Sequence, residues 1–329
     1  MKLKYLMILF FLAVFSGCEK KSSHQTPSSH GDIPHILQTL PEQDRKDLDA
    51  FFQLLSRHEC FSYTLFGNKP ISIACYPSQA SSSDLYHPKN FLILEKGWEV
   101  WQSYASLFPS DEFVLKRYKN NDEGLIEIYL INKKHALQVI SDNLDTFQFI
   151  LGNHVNPQKL VEQLCDSQQD IMEILNDNSV LGILFGYGKI NSRNFERTSS
   201  IIDNLNAKMT PPFSADDEIK SLSPMSRTFV DLFKNKPFSY PSKECFPSSD
   251  SASLSEELNE LFSHKDFFEV YGSDALLDKM MPPAFAVRRD SLETKKLQED
   301  YLATKQKVDQ VYLHGSFLEI TLNQWMYPQ

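Results

Sequence analysis

The stretch that decides the fold reads FVLKRYKNNDEGLIEIYLIN and spans residues 113–132. Apolar and polar residues alternate from Phe113 to Tyr118 and again from Leu125 to Ile131, which is the two-residue period of a β-strand. The residues between them, 120–124, are polar and end in Gly124, as a hairpin turn requires. The stretch therefore predicts an antiparallel hairpin.

Helical patterns surround this hairpin. Apolar residues recur three and four apart in most of the flanking segments, and Asn132, Gly152 and Pro157 stand where helices begin or end. The sequence thus predicts an α+β fold, predominantly helical, with a small antiparallel sheet or hairpin in the N-terminal half. Helices are expected at about 41–58, 91–108, 132–151, from 157, 178–205, 227–233, 254–263 and 291–313, and strand and turn at 61–76.

The first eighteen residues carry the pattern of an export signal. Lys2 and Lys4 precede an apolar run from Tyr5 to Phe15, which is about half the ~20 residues needed to span a bilayer. Ser16 and Gly17 then lead to Cys18, so the segment resembles a bacterial lipoprotein signal peptide. The resemblance implies cleavage before Cys18 and attachment of lipid, including palmitate, to that residue; secretion with a free Cys18 is the alternative.

The same resemblance implies a location. An aspartate after the lipidated cysteine often marks retention in the inner membrane, and Glu19 stands there instead. We therefore expect an exported, membrane-anchored lipoprotein, in the outer rather than the inner membrane.

Composition divides the remaining chain into segments. We expect a signal peptide at 1–17, the lipidated Cys18 with a flexible tether at 18–35, and an α+β lobe at 36–208. An irregular connection rich in Pro and Ser is expected at 209–253, followed by a helical part at 254–329 that packs on the first lobe.

Charge restricts the partners. The formal net charge is -10, and it becomes -12 when residues 1–17, with two lysines and no acid, are removed. Nucleic acids and anionic lipid surfaces attract basic proteins, so neither is an expected partner. The expected contacts are the membrane, through the lipid anchor, and another envelope or host protein.

Four cysteines remain beside Cys18, an even number that suits an oxidising compartment. We favour the disulfides Cys60–Cys75 and Cys165–Cys245 among the three pairings that the sequence allows. Four buried free thiols are the alternative.

The glycine-rich segment 181–196 lacks the third small residue of a dinucleotide loop. Gly182 and Gly186 instead predict the close approach of another backbone to a helix. Lys189, Arg193 and Arg197 fall on one stripe of that helix, which predicts a site for an anion or an acidic partner; a solvated helix face is the alternative.

Other candidate chemistry is weaker. His58, Cys60, Cys75 and His87 have the residue types of a zinc site with poor spacing, so neither metal nor cofactor is predicted. The aromatic stripe of Trp98, Trp101, Tyr104 and Phe108 suits core packing better than sugar binding. The sequence contains no nucleophile elbow or P-loop and predicts no catalytic residue.

Three stretches resemble a group of proteins from obligate intracellular bacteria that are often lipoprotein-like and to which no activity is attached. They are residues 61–72, 181–196 and 317–322. The resemblance implies a shared fold from about residue 45 onward. The sequence as a whole favours a non-enzymatic, lipid-anchored envelope protein that binds a partner or has a structural role. The alternatives are an exported hydrolase with an unfamiliar site and a lipoprotein that binds a small ligand.

Overall fold

The computed structural model describes residues 32–58, 60–78, 88–120, 125–208, 265–267, 286–288, 291–313 and 315–329. The fold is α+β and mainly helical, with a small antiparallel sheet in the N-terminal half, as predicted. The predicted hairpin is formed by β2 (Phe113–Asn120) and β3 (Leu125–Asn132). A further strand, β1 (Ile71–Pro77), pairs antiparallel with β3, so the sheet has the order β1-β3-β2.

The sheet is covered on both faces, which explains why β3 is an almost continuous apolar run. Side chains alternate between the faces: Ile128 and Leu130 belong to one hydrophobic core, whereas Tyr129 and Ile131 belong to a second. We call these the first core and the second core. Glu127 faces the second core and accepts a hydrogen bond from the hydroxyl of Tyr129.

Helices from the N-terminal part build the first core. They are α1 (Ile33–Thr39), α2 (Glu42–His58) and α4 (Pro88–Tyr104), the last followed by a 3-10 turn at Ala105–Leu107. Both long helices agree with the predicted ones. Ile33 is fully buried, so the folded body begins inside the segment expected to be a tether up to residue 35.

Residues 61–66 differ from the prediction of a strand. They form the short helix α3 (Phe61–Phe66), and all six of its side chains are buried. Cys60 begins this helix in the left-handed region, with φ 60°. A segment with every side chain buried shows no two-residue or 3.6-residue period, so its pattern could not distinguish the two structures.

The second core is made by a chain of short helices. These are α5 (Lys133–Asp142), α6 (Leu144–Leu151), α7 (Pro157–Cys165), α8 (Ile171–Leu175) and α9 (Asn178–Leu184). The helix expected at 132–151 is divided into α5 and α6 at Asn143, so its predicted continuity is wrong. The sequence signals at its two ends are confirmed. Asn132 caps α5 by accepting from the backbone N–H of His135 at 2.9 Å, and Gly152 ends α6 with φ 107°.

The prediction of a single helix at 178–205 is wrong. It is two helices, α9 and α10 (Lys189–Lys208), because Gly186 and Gly188 adopt φ 79° and 84° and reverse the chain between them.

The C-terminal helices return to the first core. α11 (Leu292–Tyr312) agrees with the predicted helix, and α12 (Phe317–Met326) follows it. Trp325 lies against Trp101 and donates from Nε1 to the carbonyl of Phe108 at 2.8 Å. Two short strands, β4 (Lys265–Phe267) and β5 (Ala286–Arg288), pair antiparallel. The segments predicted for 1–31, 209–264 and 268–285 lie outside the described residues.

Candidate functional site

The turn between α9 and α10 brings these helices close together. A Cβ on Gly182 would lie 2.8 Å from the Cβ of Ser192, so only glycine allows this contact. The prediction that Gly182 permits close approach is therefore confirmed. Gly186 has a different role, since it lies in the turn, where a Cβ would meet the hydroxyl of Tyr301.

The N-terminus of α10 is held by a carboxylate from α11. Glu293 accepts from the backbone N–H groups of Lys189 at 2.8 Å and Ile190 at 2.7 Å. A negative charge at this position matches the positive end of the helix dipole. Gly188 leaves room for it, because a Cβ there would lie 2.7 Å from the carboxyl carbon of Glu293.

The predicted basic stripe lies on the outer side of this junction. Lys189 forms an ion pair with Asp145 of α6 at 2.8 Å, and this contact lowers the pKa of the Asp145 carboxyl. Arg193 is exposed one turn further along α10, and its charge also acts on Asp145. Arg197 is half-buried. The three side chains therefore differ in availability: Arg193 faces solvent, whereas Lys189 already has a carboxylate beside it.

Exposed apolar side chains stand close in the chain to the residues that join α6, α10 and α11. Phe149 follows Asp145 by one helical turn and is 66% exposed, and Ile190 follows Lys189 and is 40% exposed. Leu292, next to Glu293 in the chain, is 68% exposed. We call the surface of Phe149, Ile190, Leu292 and Arg193 the α6–α10 face. Large apolar side chains that are exposed on neighbouring elements favour a contact for another protein.

A second group of side chains lies beneath the turn. Lys69, only 4% exposed, donates from Nζ to the carbonyl of Phe185 and lies 5.0 Å from the ring centre of Tyr187. Its removal from water lowers the pKa of Lys69 to about 8. Tyr301 donates to the carbonyl of Gly186 at 2.7 Å and packs edge-on against Tyr63.

Cys60 completes this group, which we call the Lys69 cluster. It packs against Tyr63 and Tyr301, and its presence opposes in part the lowering of the Lys69 pKa that burial causes. Burial raises the pKa of each tyrosine in the cluster. The cluster thus combines a thiol, a buried amine and hydroxyls that stay protonated at neutral pH.

Another buried lysine has a structural role. Lys116, 2% exposed, donates to the carbonyls of Leu164 at 3.0 Å, Asp166 at 2.7 Å and Gln169 at 2.8 Å. Burial lowers the pKa of Lys116, although nearby acidic groups oppose the effect. Its ammonium fixes the loop between α7 and α8 on the sheet.

A surface pocket of about 440 Å³ lies at the ends of α6, α7 and α8. Its wall combines apolar side chains, such as Leu160 and Ile174, with polar ones, such as His154, Lys159 and Glu173. The mixture suits a small amphipathic molecule.

The aromatic stripe packs in the first core, in agreement with the prediction that favoured core packing over sugar binding. Trp98, Trp101 and Phe108 are buried, and the hydroxyl of Tyr104 donates to Asp44 at 2.7 Å. Among the described residues, no group of three or more His, Cys, Asp or Glu side chains is placed to hold a metal ion. His87 and the side chain of His58 lie outside what the structure describes.

The cysteines have distinct surroundings. The structure holds Cys60 and Cys165 as half-buried thiols and Cys75 as an exposed one, and burial raises the pKa of Cys165. The Oγ of Ser72 donates to the carbonyl of Cys60 at 3.0 Å, and Cys75 stands three residues further along the strand, on the other sheet face. The Cys60–Cys75 disulfide stays a prediction, as does Cys165–Cys245, whose second residue is not described.

Sequence reasoning missed the buried Lys69 and Lys116, and it missed Glu293. Lys69 lies between Asn68 and Pro70 in what looks like an ordinary polar turn, so nothing local marks it. Lys116 carries a weak signal, because it occupies the same strand face as Val114 and Tyr118. Glu293 reaches a helix that begins over a hundred residues earlier, which no local pattern encodes.

No helix in the described part of the chain has both the length and the hydropathy needed to cross a membrane. Comparisons with protein-family models, with curated proteins and with solved structures gave no match for this chain.

Proposed function

We propose that this chain is a lipid-anchored protein of a bacterial envelope and that its folded body binds another protein through the α6–α10 face. The lipoprotein-like signal ending at Cys18 supports the anchor, and the resemblance to lipoprotein-like proteins of intracellular bacteria agrees with it. The single observation that carries the binding role is the exposure of Phe149, Ile190 and Leu292, which stand on the three helices that the Lys189–Asp145 ion pair and the contacts of Glu293 join.

The chemistry of this face selects the kind of partner. Apolar side chains provide the area that is removed from water on binding, and Arg193 offers a guanidinium to an acidic side chain. A partner with a small apolar knob next to a carboxylate fits both features. Arg is also enriched among residues that dominate binding energy, so Arg193 should contribute strongly.

Metabolic labelling with a lipid precursor tests the anchor. We expect the full-length wild type to be labelled and the Cys18→Ala variant to remain unlabelled. Persistent labelling of Cys18→Ala would show that another residue carries the lipid.

Capture from envelope extracts tests the face. The wild type is compared with Phe149→Ser/Ile190→Ser/Arg193→Glu, and with Leu92→Ser as the matched control, since Leu92 is also exposed but lies on α4. We expect the triple variant to lose a partner that the wild type and control both retain. An unchanged set of partners would rule out this face.

Binding of a small ligand is a second candidate, favoured by the pocket beside His154 and Lys159. If the pocket binds a small ligand, adding small molecules extracted from the envelope should slow hydrogen exchange or chemical labelling at His154 and Lys159. Protection on the α6–α10 face by a protein partner would instead favour the first proposal.

A further inference from the structure

The outer edge of β2 offers backbone groups that no described element takes up. β2 is an end strand, since the sheet has the order β1-β3-β2. No helix or strand in the described part of the chain, other than β3, runs alongside it. An edge of this kind can accept one more strand, which would form main-chain hydrogen bonds with it.

The register shows which groups of β2 point outward. The N–H of Lys133 donates to the carbonyl of Glu112 at 2.9 Å, in a pair that continues the β2–β3 register. Hydrogen-bonded pairs recur at every second residue of an antiparallel ladder, so the even-numbered residues of β2 bond to β3. The N–H and C=O groups of Leu115, Arg117 and Lys119 therefore point away from the sheet.

The contacts along this edge agree with the register. Phe113, which points outward by the same rule, donates its N–H to the Oγ of Ser110 at 3.0 Å. No backbone hydrogen bond joins the outward groups of Leu115 or Arg117 to another described residue. Leu115 and Arg117 are only half-buried, and Lys119 is exposed, so a partner can reach the edge.

Two of the outward residues carry a positive charge. Lys119 lies in solvent near the end of the strand. Arg117 contacts Glu95 of α4 through one terminal nitrogen, and a guanidinium has five N–H donors in all. Side chains directly opposite each other on paired strands lie about 5 Å apart, so acidic residues opposite these two would be favourable.

We infer that the outer edge of β2 binds an extended acidic segment of another protein by strand addition. The segment runs antiparallel to β2, with acidic residues opposite Lys119 and Arg117 and an apolar residue opposite Leu115. Main-chain hydrogen bonds supply the affinity, and the alternate side chains supply the selectivity. This surface is separate from the α6–α10 face.

Charge distinguishes this partner from a second copy of the chain. Pairing of β2 with its own copy, centred near Arg117, would place positive side chains of the two strands opposite or diagonal to each other, which is destabilising. Lysines on edge strands are a common protection against such self-pairing. An acidic segment uses the same charges favourably.

A synthetic peptide tests the proposal on the full-length protein in detergent. The probe is acetyl-Thr-Glu-Thr-Glu-Thr-Ile-Thr-amide, followed by amide NMR and hydrogen exchange. We expect saturable binding with a dissociation constant below about 1 mM and slower exchange at Leu115 and Arg117. Lysines in place of both glutamates should weaken binding by about tenfold.

Methylated peptides and a charge reversal provide the controls. N-methylation of the two glutamates and the isoleucine removes the N–H groups that face β2 and should abolish binding, whereas N-methylation of the third and fifth residues, whose N–H groups point away, should leave it. Lys119→Glu should remove most of the preference for the glutamate peptide. Lys296→Glu, an exposed change of equal charge on α11, should preserve it.

Three outcomes would overturn the proposal. The first is the absence of saturable binding at about 1 mM peptide. The second is equal binding of the two methylated peptides. The third is slow exchange of the Leu115 and Arg117 amides before peptide is added, because the edge would then already be covered by the chain itself or by a second copy.

Discussion

At the scale of single residues, two of the lysines that the structure shows as buried, Lys69 and Lys116, have different surroundings. Lys116 donates to three backbone carbonyls, whereas Lys69 donates to one and otherwise meets aromatic rings. Charge-assisted hydrogen bonds offset the loss of water around a buried cation. We therefore expect Lys116 to stabilise the fold more than Lys69 does.

Replacing Lys116 with Met should lower the free energy of unfolding by about 2–3 kcal/mol, because three buried carbonyls lose a charged donor. Urea unfolding at pH 7 measures the change. Lys119→Met, at an exposed residue near the end of the same strand, is the matched control and should change stability by less than about 0.5 kcal/mol. Equal effects in both variants would contradict a role for the carbonyl contacts.

Lys69 gives stability a pH dependence of defined sign. Its folded pKa is about 8, below the value of about 10.4 in an unfolded chain, so the unfolded chain binds more protons between these limits. The free energy of unfolding of the wild type, relative to Lys69→Met, should therefore rise by about 2 kcal/mol from pH 8 to pH 10. Urea unfolding across this range would refute the assignment if the difference stayed flat or fell.

At the scale of elements, the turn between α9 and α10 determines how α10 and α11 are placed. Gly182 allows close packing of α9 against α10. Glu293 of α11 accepts hydrogen bonds from the first backbone N–H groups of α10. The first contact is local in sequence, whereas the second joins residues about a hundred positions apart. Together they connect the second core to the C-terminal helices.

Gly182→Ala should cost about 1–3 kcal/mol, because its new Cβ would lie 2.8 Å from the Cβ of Ser192. Thermal unfolding measures the loss, and adding Ser192→Gly to the variant should recover part of it. Gly315→Ala is the control, since its nearest neighbour is a side-chain atom of Ile320 at 3.2 Å. No rescue by Ser192→Gly would mean that the cost arises elsewhere.

Glu293→Ala should cost about 1–2 kcal/mol by removing the acceptor at the start of α10. Glu299→Ala, an exposed change on the same helix, should have little effect. Hydrogen exchange at the Lys189 and Ile190 amides provides the direct readout, and unchanged protection in Glu293→Ala would contradict the contact.

The elements also show what the sequence could predict. The hairpin, α2, α4 and α11 follow from periodicity and length, and the ends at Asn132 and Gly152 follow from local backbone chemistry. Helix α3 could not be predicted, because burial of all its side chains removes the periodic signal. The candidate site was predicted only in part. The periodicity of α10 indicated the basic stripe at Lys189, but Asp145 and Phe149 belong to α6, and no local pattern shows that the two helices lie side by side.

At the scale of the whole molecule, one sheet separates two cores. The three tryptophans of the chain, Trp98, Trp101 and Trp325, all lie in the first core. Their fluorescence thus reports on that core, whereas far-ultraviolet circular dichroism reports on the helices of both.

Because β3 contributes side chains to both cores, we expect them to unfold together. Urea transitions followed by tryptophan fluorescence and by circular dichroism should have the same midpoint. A second midpoint, seen only by circular dichroism, would show that the second core unfolds separately.

The burial of Ile33 also sets a limit on reach. The chain from Cys18 to Ile33 spans at most about 54 Å when it is fully extended. With a lipid on Cys18, the first residue of the folded body stays within that radius of the bilayer surface. A partner that binds the α6–α10 face must then lie no further from the bilayer surface than this distance plus roughly one protein diameter. The expected partners are therefore components of the same membrane or of the space next to it.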